Sequence, residues 1–196
     1  MIRLHLQVDA SGVPLFYTLL EKGVVLSART GCTLRDFLCG QLGLSDEYLD
    51  QRVQTLFLDA RPVDDVDKAV VRDGAVLALS AAMPGLLGAT MRKGGRYAAF
   101  RKEISQPTDE CGICETSGRV TVKLFNMVAK EVGGRLLEAG VEVDGKDLRR
   151  ISDRFPAEVS RSIRKGRMDD HAITPDKAFF SRLPENRVLL TVSVAG

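Results

Sequence analysis

Apolar and polar residues alternate from the second position of the chain: Ile2, Leu4, Leu6 and Val8 fall on one face, with Arg3, His5 and Gln7 between them. A period of two is the signature of a half-buried β-strand. Val24-Val25-Leu26 predicts a second strand, after a loop through Gly12 and Pro14. From Thr33 the period changes. Leu34, Phe37, Leu38 and Leu42 recur at helical spacing, Thr33 suits the N-cap and Gly43 the stop. After an acidic loop, residues 54–58 predict a third strand, Asp59-Ala60-Arg61 a turn, and residues 62–65 a short return. Asp73-Gly74 is a tight-turn pair, and residues 75–80 form a last apolar strand.

The second half follows a comparable rhythm. Residues 120–125 alternate as a strand, Val141-Glu142-Val143 predicts another, and residues 145–155 predict a helix carrying Leu148, Ile151 and Phe155. Residues 172–177 and 183–187 precede a closing apolar strand from Val188. Residues 161–167, rich in Arg and Lys, are expected as an exposed insertion. Between the halves, residues 84–102 are rich in Gly, basic residues and aromatics, and residues 105–115 form a polar connector. The expected organisation is a unit at 1–85, a connecting segment at 86–118 and a second unit at 119–196.

Strand, strand, helix, strand, short strand, strand is the order of a β-grasp, an α+β fold in which a mixed sheet packs on a helix. The stretch from Leu56 through Asp59-Ala60-Arg61-Pro62-Val63-Asp64-Asp65 to Val71-Arg72-Asp73-Gly74 and Leu79 resembles the ubiquitin-like sulfur carriers. These are the molybdopterin-synthase small subunit and the thiamine-pathway carrier. Val120-Thr121-Val122-Lys123-Leu124-Phe125 is similar to the opening of the same family, so two tandem copies are expected; the alternative is an unrelated α+β domain in the second half. The resemblance implies a docking or carrier role. Carriers end in Gly-Gly, whose terminal carboxylate is activated and converted to a thiocarboxylate. Here Gly196 is terminal, but Ala195 stands where the family has glycine.

Composition adds bounds. The chain has 196 residues, 44% of them hydrophobic, enough for a core in one medium or two small domains. The longest apolar runs fall far short of the roughly 20 residues that span a bilayer. Met1 leads directly into the first strand, without a secretory signal, so a cytoplasmic protein with no membrane partner is expected. Four cysteines are too few for a disulfide scaffold. Net charge is only +2, yet residues 1–89 carry 8 basic and 11 acidic groups, whereas residues 119–196 carry 15 and 11. That asymmetry suits contact between the units or self-association of the chain.

Three features invite a chemical reading. Cys111 and Cys114 have the spacing of half a zinc site; Cys32, Cys39, His5 and His171 supply no second half by spacing, and no cofactor is expected as a rule. Arg92, Lys93, Arg96, Arg101 and Lys102, interleaved with Tyr97 and Phe100, suit either a nucleic-acid backbone or an acidic protein surface. Asp64, Asp65 and Asp67 read as turn and helix-start residues rather than metal ligands. With two histidines and no nucleophile placed beside either in sequence, no catalytic site is expected. The leading expectation is a non-catalytic protein–protein docking module. A sulfur carrier using Gly196 and a basic nucleic-acid-binding protein are the alternatives.

Overall fold

The computed structural model describes residues 1–81, 85–97 and 116–195. It is a mixed α+β protein. In chain order the elements are β1 (Ile2–Val8), a 3₁₀ stretch at Ala10–Phe16, α1 (Tyr17–Lys22), β2 (Val24–Thr30) and a π-helical stretch at Asp36–Gln41. There follow α2 (Asp46–Gln51), β3 (Thr55–Leu58), β4 (Arg61–Pro62), β5 (Val76–Ser80), α3 (Gly85–Met91), β6 (Thr116–Phe125) and α4 (Asn126–Ala139). The chain ends with β7 (Val141–Asp144), α5 (Gly145–Arg154), α6 (Pro156–Ser162), β8 (Ile163–Met168), β9 (His171–Ile173), α7 (Lys177–Ser181) and β10 (Arg187–Val194). Among the described residues, no helix is long and apolar enough to cross a membrane.

Two compact units emerge: Met1–Val24 with Lys130–Gly196, and Val25–Ala129. These units are cut along another line than the boundaries expected at 85 and 119. Strand pairing shows why. β1, which opens the chain, lies parallel to β10, which closes it. β6, which opens the second half, lies parallel to β5, which closes the first. Each opening strand has gone to the other half's closing strand.

In the unit holding both ends of the chain, the strand order is β7-β10-β1-β8-β9. Register follows the alternation seen in sequence. Leu4 lies opposite Leu190 and Leu6 opposite Val192, so the buried faces of β1 and β10 coincide. A slip of one residue would turn that apolar set to solvent. Each such fully buried leucine is worth about 1.5–3 kcal/mol of transfer free energy. β8 runs antiparallel to β1 and buries Ile163 and Gly166 while Arg164, Lys165 and Arg167 stay exposed. The basic run at 161–167 is therefore no insertion, because most of it is a strand inside the sheet. Asp169 and Asp170, with φ of 45° and 70°, join β8 to β9 through a two-residue turn of the kind that suits hairpin twist.

The other unit has the order β4-β3-β5-β6-β2. β3 pairs antiparallel with both β4 and β5. Leu56, Leu58, Leu77, Leu79, Val122 and Leu124 are buried in its sheet, as are Phe37 and Leu38 in the π-helical stretch. The Thr33 hydroxyl accepts the Asp36 amide at 3.1 Å, the N-cap role its position predicts. Asp59 and Ala60, with φ of 51° and 63°, make the β3–β4 turn.

Candidate functional site

Because β1 alternates strictly, the residues between its buried leucines face away from the core, and β8 and β10 share that face. Gln7 is paired with Lys165 on one side and Ser193 on the other; His5 is paired with Arg167 and Thr191. Two polar rows thus cross three neighbouring strands. His5, Gln7, Lys165, Arg167 and Ser193 of these rows line a cavity of about 380 Å³, to which Ala172 and Ile173 of β9 contribute apolar residues. Gly166 belongs to the other, buried face, opposite Leu6 and Ile173, and a Cβ there would stand 2.8 Å from Ile173 Cδ1.

The charges on this face are unequally matched. The Arg164 guanidinium donates to both oxygens of Asp9, at 2.7 and 2.5 Å, and holds the Asp9 carboxyl below the usual carboxylate range. Arg167 donates to the Asp170 backbone carbonyl at 3.1 Å, with the Asp170 carboxylate only at 4.0 Å and itself exposed. Lys165 is exposed, and no carboxylate lines the cavity among the described residues. His5 Nε2 and the Ser193 hydroxyl are hydrogen-bonded at 2.9 Å. Among the described residues no carboxylate orients the other ring nitrogen, so the pair offers hydrogen bonding rather than an activated nucleophile.

The basic stretch singled out in sequence behaves differently from one residue to the next. Arg92 donates through Nε and Nη2 to Gln54 Oε1. The Lys93 amide donates to the Gln54 carbonyl at 2.7 Å, and its ammonium donates to the Leu49 carbonyl at 2.9 Å and lies 3.7 Å from Asp50. Burial pushes the Lys93 pKa down, with Asp50 opposing that shift. The Gly94 amide donates to Asp64 at 3.2 Å. These residues tie the segment after α3 to its own unit, while Arg96 and Tyr97 are exposed. Phe100, Arg101, Lys102, Cys111, Cys114 and Gly196 lie outside the described residues. The Ala195 amide donates to the Val8 carbonyl at 2.7 Å, so the chain is held in the sheet up to that point.

A second charged cluster is also absent from the sequence reading. Arg35 donates to Asp67 at 2.6 Å and Asp46 at 2.7 Å and reaches Asp50 at 3.5 Å, and these carboxylates push its pKa up. Beside it, burial and the Asp46 charge raise the Cys39 thiol, making it a poor nucleophile. Asp67 therefore serves an ion pair, and Asp65 accepts the Asp67 amide at 3.0 Å in a local turn. Among the described residues no cluster of His, Cys, Asp and Glu suits a metal ion. Compared with family models, curated proteins and solved structures, the chain matches none of them.

Proposed function

We propose that the protein is a cytoplasmic, non-catalytic docking module of the tandem β-grasp, ubiquitin-like type, acting through contact with a protein partner and without a resident cofactor. The observation that carries this reading is the strand plan of the Val25–Ala129 unit. A β-grasp sets its opening and closing strands side by side in parallel and flanks them with antiparallel hairpin strands. Here β5 and β6 run parallel at the centre, β3 and β4 follow antiparallel on one side, and β2 lies on the other. The other unit has β1 and β10 parallel at the centre and β8–β9 as an outer hairpin, there set beside the opening strand β1, where β3–β4 lie beside the closing strand β5. Small mixed sheets of this plan present large, rigid surfaces, and rigid surfaces suit recognition.

The test begins with cross-linking in the native host and ends with purified components. A captured protein that rebinds the purified chain in a fixed stoichiometry supports docking. Failure of every captured protein to rebind, together with a Gly196 carboxylate that an activating enzyme adenylates with ATP and that added sulfide then converts to a thiocarboxylate with release of AMP, would instead make the chain a carrier.

A further inference from the structure

We propose that the cavity on the outer face of β1, β8, β9 and β10 binds a small organic phosphomonoester. This goes beyond the docking reading and stands or falls separately from it. Three strands bring donors to one place: the Lys165 ammonium, the Arg167 guanidinium, the Gln7 amide and the linked His5 ring and Ser193 hydroxyl all line the same space.

The pairing fixes their spacing. Lys165, Gln7 and Ser193 form one row across β8, β1 and β10, and Arg167 and His5 begin the next. Strands lie about 4.8 Å apart and alternate residues about 6.8 Å apart along each, so the donors surround a patch wider than one carboxylate. A tetrahedral group with three terminal oxygens can meet donors from both rows.

Charge selects in the same direction. Arg164 already has its anion in Asp9. Lys165, and Arg167 with Asp170 only at 4.0 Å, bring two positive charges to a cavity whose lining holds no carboxylate among the described residues. A phosphomonoester near its dianionic form matches two cations, and hydrogen bonds between charged groups are about twice as strong as neutral ones. The remaining wall is apolar, Ala172 beside Arg167 with Ile173 at its edge, and has no use for an inorganic ion. It suits an organic body attached to the phosphate, and about 380 Å³ is the volume of a small-molecule site.

The experiment follows backbone amide resonances of the full chain during titration with phenyl phosphate at constant ionic strength. Inorganic phosphate, phenol and a short single-stranded oligonucleotide are run in parallel. The expected result is saturable shifts at residues 5, 7, 165, 167 and 193 with phenyl phosphate, weaker binding of inorganic phosphate, and no saturation with phenol. Lys165→Gln combined with Arg167→Gln, both on an exposed face, should weaken binding at least about tenfold while the rest of the spectrum is unchanged. Should that pair not fold, Gln7→Ala with Ser193→Ala serves in its place and should also weaken binding. Absence of saturable shifts overturns the proposal, as does phenol binding as tightly as its phosphate. Inorganic phosphate binding as tightly as the ester removes the organic ligand. Tighter, competing binding of the oligonucleotide assigns the face to nucleic acid instead.

Discussion

Asp9 sits at the end of β1, where the sheet gives way to the 3₁₀ stretch, and Arg164 grips it from β8 across a sequence separation of 155. Its depressed pKa fixes the sign of a pH effect. A carboxylate held below its unfolded value stabilises the fold at any pH above that value, and the contribution fades as pH falls through the lowered one. The pair is solvent-exposed, so the stabilisation is small and best read at the residue itself. In a carbon-detected titration, Asp9 should titrate below the usual carboxylate range, and Arg164→Gln should return it there. An Asp9 midpoint indifferent to that change would show that the pair has no strength in solution. The same scale explains why the cavity residues escape a reading of sequence. His5 and Arg167 become neighbours only through pairing of strands more than a hundred and sixty positions apart, and no local spacing encodes that. The basic stretch at 92–97 was conspicuous in sequence, yet Lys93 is largely buried and spends its charge on Leu49 and Asp50.

At the scale of elements, two glycines in helical segments make opposite predictions. A Cβ at Gly145, the first residue of α5, would run into the Pro184 carbonyl, a backbone atom that cannot step aside cheaply. At Gly40, in the π-helical stretch, nothing stands within 4 Å. Chemical denaturation should therefore find Gly145→Ala destabilising by about 1–3 kcal/mol. Gly40→Ala should be neutral or stabilising by up to about 1 kcal/mol, through helix propensity. Equal effects at the two sites would refute the packing argument. Strands with clean alternation, such as β1 and β10, were readable in sequence, as was α5 with Leu148 and Ile151 facing inward. β8 was not, because Gly166 stands where an apolar residue would have revealed the period and Arg and Lys fill the positions around it. The period of two is itself broken there, since the buried positions Ile163 and Gly166 are three apart, across a shift of register opposite Gln7 and Val8.

Across the whole molecule, the exchange of opening strands makes the two halves of the sequence mutually dependent. A fragment ending at residue 97 contains β1 but lacks β10, and contains β5 but lacks β6; a fragment beginning at 116 has the complementary deficits. Expressed singly, each should give poorly dispersed amide spectra, and mixing them should restore one folded 1:1 complex. A fragment that folds alone with native-like dispersion would show the exchanged strand to be dispensable. Sequence placed β1, β5, β6 and β10 in their proper order but could not have revealed this partnership, because alternation marks a strand's buried face and not the strand it will lie against. The parallel pairing of β1 with β10 also sets a schedule for synthesis. The ribosome adds roughly 5–20 residues per second, so β1 emerges many seconds before the strand it must lie against. The Val25–Ala129 unit has all its strands once β6 has left the exit tunnel, and it can close while the rest is still being made. Ile2, Leu4, Leu6 and Val8 must wait, an uncovered apolar stripe on the nascent chain, until β10 has emerged.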